Sequence, residues 1–107
     1  MKFEDNPLAI EIRQEMAQSY FGACRKMVRS IDALKVFDLT FVSRSMDKAQ
    51  IKRRAELLEQ SAELVHFVLI QREAMGFSGN ETFFEDYEIP YEVKRQVGKP
   101  RGTSDLA

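Results

Sequence analysis

The apolar positions of this chain fall into two long helical stripes separated by one irregular stretch. Ala9, Ile12, Met16, Tyr20, Cys24, Met27, Ile31 and Leu34 recur at steps of three and four residues. Their mean step is close to the helical period, which predicts one helix from Pro7 to Val36. Asn6-Pro7 gives it a start, because Asn can cap free amides and Pro at the first helical position loses no hydrogen bond. Phe21 and Val28 widen the stripe on one flank. From Phe37 to Met46 the rhythm fails: Thr40, Ser43 and Ser45 are poor helix formers beside the apolar Phe37, Leu39, Phe41 and Val42. That segment reads as a connection packed over the end of a hairpin.

Asp47 is placed to cap a second long helix that ends before Gly76. Its inner stripe is Ile51, Ala55, Leu58, Ala62, Val65, Leu69 and Arg72, flanked by Leu57, Leu64 and Val68. Between Leu64 and Ile70 only His66 is polar, so this half is apolar around most of its circumference, with Phe67 and Ile70 on its back. Two short segments downstream offer a cover. Asn80 can cap a helix carrying Phe83, Phe84 and Tyr87, and Pro90 can open another carrying Tyr91, Val93 and Val97 that stops at Gly98. The expected fold is therefore all-α: a long antiparallel helical hairpin with two short C-terminal helices, one domain over 1–98, and a flexible tail over 99–107.

Lengths then bear on assembly. Two helices of roughly 30 residues are each about 45 Å long, whereas a compact chain of about 100 residues has a radius of gyration near 13 Å. Two rods touching along one line also leave each stripe half open. A second hairpin resolves both problems, which predicts a homodimer with a four-helix bundle at its centre. The alternative is a monomer whose short helices and 37–42 segment close the hairpin alone.

Composition narrows the class without naming a function. The 107 residues are 44% hydrophobic and 31% charged, as in a folded globular protein, with a formal net charge of −1. So balanced a charge offers no global field for nucleic acid or an anionic membrane. Cys24 is the single cysteine and cannot form an intramolecular disulfide, which fits a reducing compartment. No run approaches the roughly 18 apolar residues of a membrane span, and the first residues lack the form of a secretory signal. These features suggest a cytoplasmic protein.

Four constellations could carry chemistry. In an antiparallel hairpin Arg72 and Arg13 fall on inner faces near the open end, and arginines there need carboxylates. Glu73, with Glu85 and Asp86 beside Tyr87, could supply them in a structural ion-pair cluster that docks the short helices. An anion pocket using the same arginines is the functional alternative. Glu63-Leu-Val-His66 has the spacing of carboxylate–histidine metal motifs in helical bundles. The first helix puts no glutamate on its inner face, because Glu11 and Glu15 point outward, so no metal site or cofactor is expected. Arg44, Lys48, Lys52, Arg53 and Arg54 gather positive charge around the start of the second helix, where phosphates could bind. The interleaved Asp47, Glu56 and Glu59 favour a solvated helix face instead. Cys24 reads as a small buried hydrophobe, and no catalytic triad or phosphate loop occurs, which argues against an enzyme.

The segment Ile70-Gln71-Arg72-Glu73-Ala74-Met75-Gly76, followed by Asp86-Tyr87-Glu88-Ile89-Pro90-Tyr91-Glu92-Val93 and Gly98, resembles the C-terminal signature of a family of small bacterial proteins of unknown function. The resemblance implies a small all-helical bacterial protein and brings no activity or site residues with it. The expected class is a non-enzymatic, self-associating interaction or assembly protein. A nucleic-acid-associated accessory protein using the basic patch comes second. A metal- or small-ligand-binding bundle comes third.

Overall fold

A computed structural model describes residues 6–42 and 44–100, and every one of its elements is helical: α1 (Pro7–Phe41), α2 (Lys48–Ala74), α3 (Asn80–Asp86) and α4 (Tyr91–Gln96). The tail expected over 99–107 lies mostly outside the described residues. The molecule is a rod of 64 × 24 × 22 Å with a radius of gyration of 17.3 Å. At 1.5 Å per residue, the 35 residues of α1 account for about 52 Å of that length.

The long helices begin where the sequence places them. Asn6 caps α1, its Oδ1 accepting from the Leu8 amide at 2.8 Å, with Pro7 as the first helical residue. Asp47 forms a reciprocal capping box with Gln50: the Gln50 amide donates to Asp47 at 2.8 Å, and the Asp47 amide donates to the Gln50 side chain at 2.9 Å.

The ends and the short helices differ from expectation. α1 continues past Val36 to Phe41, taking up the first half of the segment expected as a connection. Thr40 satisfies its hydroxyl by donating to the Val36 carbonyl at 2.8 Å, and the Phe37 and Phe41 rings pack 4.7 Å apart one turn on. Local packing thus outweighs the weak propensity of Thr40. Asn80 is the first residue of α3 and Gly79 precedes it as the cap, at φ 82°. Pro90 takes the extended position before α4, not the first helical one.

One geometry closes both α2 and α3. The Gly76 amide donates to Glu73 and the Phe77 amide to Arg72, while the Glu88 amide donates to Glu85 and the Ile89 amide to Phe84. Each set is a Schellman motif, which needs a left-handed residue just past the helix. Gly76 adopts φ 85° at no steric cost, whereas Glu88 is held at φ 50° as a non-glycine residue. Phe77 and Ile89, the residues delivered next, turn back onto the hairpin.

The core lies between α1, α2 and the two short helices. Cys24, Met27, Ile31 and Leu34 of α1 meet Leu57, Ala62, Val65 and Val68 of α2, with Phe83, Ile89 and Val93 closing one side. The buried Ser30 and Ser61 hydroxyls bond at 2.8 Å across the helix pair. The α2 stripe loses its start, and the α1 stripe loses Ile12 and Met16 while Ala9 stays buried. Ile51 and Ala55 are exposed at the start of α2. Ile12 and Met16 are exposed because the far end of α2 reaches only Ser19 and Tyr20, through Gln71 and Arg72. The first three turns of α1 therefore run past the hairpin. Nor do α3 and α4 cover the back of α2. They settle over Cys24 and Val65, leaving Phe67 and Ile70 each 51% exposed.

Candidate functional site

The contacts that dock the C-terminal helices gather the most chemistry, and the first centre is Arg72. Its Nη1 donates to the Tyr20 hydroxyl at 3.1 Å, and its guanidinium lies 4.9 Å from the Phe83 ring centre and 5.3 Å from that of Phe77. This is a cation held by rings and a phenol, an arrangement suited to the planar guanidinium. Its Nε is buried without a hydrogen-bond partner among the described residues.

The structure thus corrects the expected ion-pair cluster of Arg13, Arg72, Glu73, Glu85, Asp86 and Tyr87. Phe83 and Tyr87, four residues apart, share the inner face of α3 with ring centres 5.0 Å apart, which turns the intervening Glu85 and Asp86 outward to solvent. Glu73 is exposed as well, and Arg13 lies on the exposed overhang with its Nε donating to the Ala9 carbonyl at 3.3 Å. Tyr87 lies close enough to Arg72 for the guanidinium to act on it electrostatically. The Tyr87 hydroxyl is hydrogen-bonded with the Cys24 thiol. That bond and burial push its pKa up to about 12, against a smaller downward pull from Arg72.

An ion-pair cluster does dock the short helices, but at the other end of the hairpin and from other residues. Arg54 of α2 holds Asp38 of α1 by two parallel bonds, Nε–Oδ1 at 2.7 Å and Nη2–Oδ2 at 3.0 Å. Its outer nitrogens also donate to Glu92 of α4 at 2.9 and 3.1 Å. Arg54 thereby joins three helices. The hydrogen bond from Arg54 holds the Glu92 carboxyl below the ordinary glutamate range, against a smaller opposing effect of burial. Lys94 adds a looser pair with Glu81 at 3.6 Å and lies 4.9 Å from the Phe84 ring centre.

This arrangement also changes the basic patch. Arg54 is committed to Asp38 and Glu92, and Arg53 pairs with Glu56 at 3.5 Å. Arg44, Lys48 and Lys52 remain exposed. Glu63 and His66 stand on the exposed side of α2, in a cleft with Glu59, Ala62, Gln96 and Lys99. Among the described residues no group of three His, Cys, Asp or Glu side chains is placed to hold a metal ion.

The surface that sequence reading did not single out lies on the flank of α1. Phe21, Cys24, Arg25, Val28 and Arg29 border a shallow groove closed on its other side by Tyr87. Phe21 is 57% exposed there. The sequence signal was present, since Phe21 and Val28 sit seven residues apart beside the inner stripe. What it lacked was any indication that α3 would cover Cys24 and stop short of them.

Comparison with known protein families, with curated proteins and with solved structures gives no match for the chain. No described helix is long and apolar enough to cross a membrane. The class that the observations define is an all-α helical hairpin with two short helices docked along one side.

Proposed function

We propose that the protein is a non-enzymatic helical interaction protein that self-associates through its long helices. The observation that carries this reading is the overhang of α1. Its first three turns run past the end of α2 with Leu8, Ile10, Ile12 and Met16 all exposed, although the small Ala9 among them is buried. Four large apolar side chains standing in water on one end of a helix call for a covering surface. The uncovered Phe67 and Ile70 add to the same demand. The nucleic-acid reading draws less support, because two of the five cations in its patch are engaged within the chain. Light scattering on the eluting protein at about 10 and 100 micromolar tests the proposal. A mass of twice 12.4 kDa at the higher concentration is expected, and a constant mass of 12.4 kDa would overturn it.

A further inference from the structure

The exposed flank of α1 carries more than scattered apolar residues. Ile10, Gln14, Ala17, Phe21, Cys24 and Val28 follow one another at alternating steps of four and three. That rhythm is the seam of a two-stranded coiled coil. It borders the stripe that packs on α2 and shares with it Cys24, which is buried. It begins on the overhang and ends in the groove beside Tyr87. Ile10, Phe21 and Val28 are all exposed along it.

We propose that two copies pair antiparallel along this flank of α1, with Ile10 of each against Val28 of the other and Ala17 against Phe21. The proposal rests on the self-association argued above and names the face and register. The residue numbers in each facing pair then share one sum, so the seam is self-complementary about a two-fold axis near Ser19, as an isologous dimer requires. The overhang of one copy lies over the partner's groove.

Charge selects this face over the obvious competitor. Beside the seam, Glu11 and Arg25 occupy equivalent flanking positions two heptads apart, and both are exposed. Antiparallel pairing brings Glu11 of each copy to Arg25 of the other, giving two opposite-charge contacts. Pairing the overhangs end to end along Leu8, Ile12 and Met16 would instead set Glu11 and Glu15 against the same two residues of the partner. A two-fold axis brings like side to like side, and four acids would gather there.

A charge swap read by sedimentation equilibrium tests the register. Glu11→Arg alone places arginine against Arg25 twice, and Arg25→Glu alone places glutamate against Glu11 twice. Each variant is expected to raise the dimer Kd at least about tenfold, with its helical circular dichroism unchanged. An equimolar mixture of the two is expected to recover wild-type association, because both contacts then join opposite charges. Wild-type Kd in both single variants would overturn this seam while leaving self-association standing. Single variants that weaken without recovery on mixing would overturn it as well. A wild-type protein monomeric throughout would remove the underlying reading itself.

Discussion

Ser30 of α1 and Ser61 of α2 bond through hydroxyls 2.8 Å apart at a point where both side chains are buried. Two such small residues let the long helices approach closely at mid-hairpin. Each satisfies the other, so removing one orphans its partner. Ser30→Ala or Ser61→Ala alone should cost about 1–2 kcal/mol, whereas the double variant should cost clearly less than the sum. Chemical denaturation of the four proteins in this cycle measures the coupling. Additive losses would show that the bond fixes nothing.

Arg54 ties α4 to the hairpin, and its partners are partly solvated, which screens the attraction. Arg54→Met should therefore cost about 1 kcal/mol, more at low than at high salt, and should make the chain beyond Ala74 easier for a protease to cut. The same contact predicts a pH dependence. Glu92 titrates below the ordinary value of 4.5 in the folded protein, because the Arg54 bond favours its charged form. Its contribution is complete above about pH 4.5 and is lost as pH falls through the folded pKa. In Glu92→Gln that part of the acid loss should vanish, and an unchanged acid limb would refute the assignment.

Tyr87 gives a prediction at the opposite end of the scale. Its hydrogen bond to Cys24, and its burial, hold its phenol protonated up to about 12, against 10.0 for a free tyrosine. The stabilisation is complete below pH 10 and disappears as pH rises towards 12. Ultraviolet titration of the three tyrosines should find one ionising well after the others. Cys24→Ala should bring that ionisation down, and a titration insensitive to Cys24 would contradict the contact.

Glu88 occupies, at φ 50°, the position that glycine fills most cheaply. Its exposed side chain makes Glu88→Gly a test of backbone cost alone. Relief of left-handed strain, less the extra entropy of glycine in the unfolded chain, should leave a net gain of up to about 1 kcal/mol. A lower melting temperature for the variant would show that the glutamate side chain contributes something this account omits.

Where the physics is periodic or local, the sequence was readable. Cys24, Met27, Ile31 and Leu34 are buried because the helical period put them on one line. Asn6, Asp47 and Gly76 mark helix ends because capping depends on neighbours within a few residues. Two kinds of feature were not readable. Ile12 and Met16 lie on the buried line yet stand exposed, since periodicity states which face is apolar but not how far the covering helix extends. Arg54 looks like its basic neighbours in sequence, because nothing local shows that Asp38 and Glu92, far away in the chain, arrive beside it. The expected carboxylate partners of Arg72 failed for the converse reason: α3 turns its rings inward and its acids outward.

The central claim is that a second copy of the chain covers the part of α1 that runs past the hairpin. Amide hydrogen exchange over Ile10–Gln18, followed as a function of protein concentration, tests it most directly. The account predicts rapid exchange in dilute solution and marked protection at high concentration, while the Met27–Leu34 stretch stays protected throughout. Exchange at Ile10–Gln18 that is independent of concentration would contradict it.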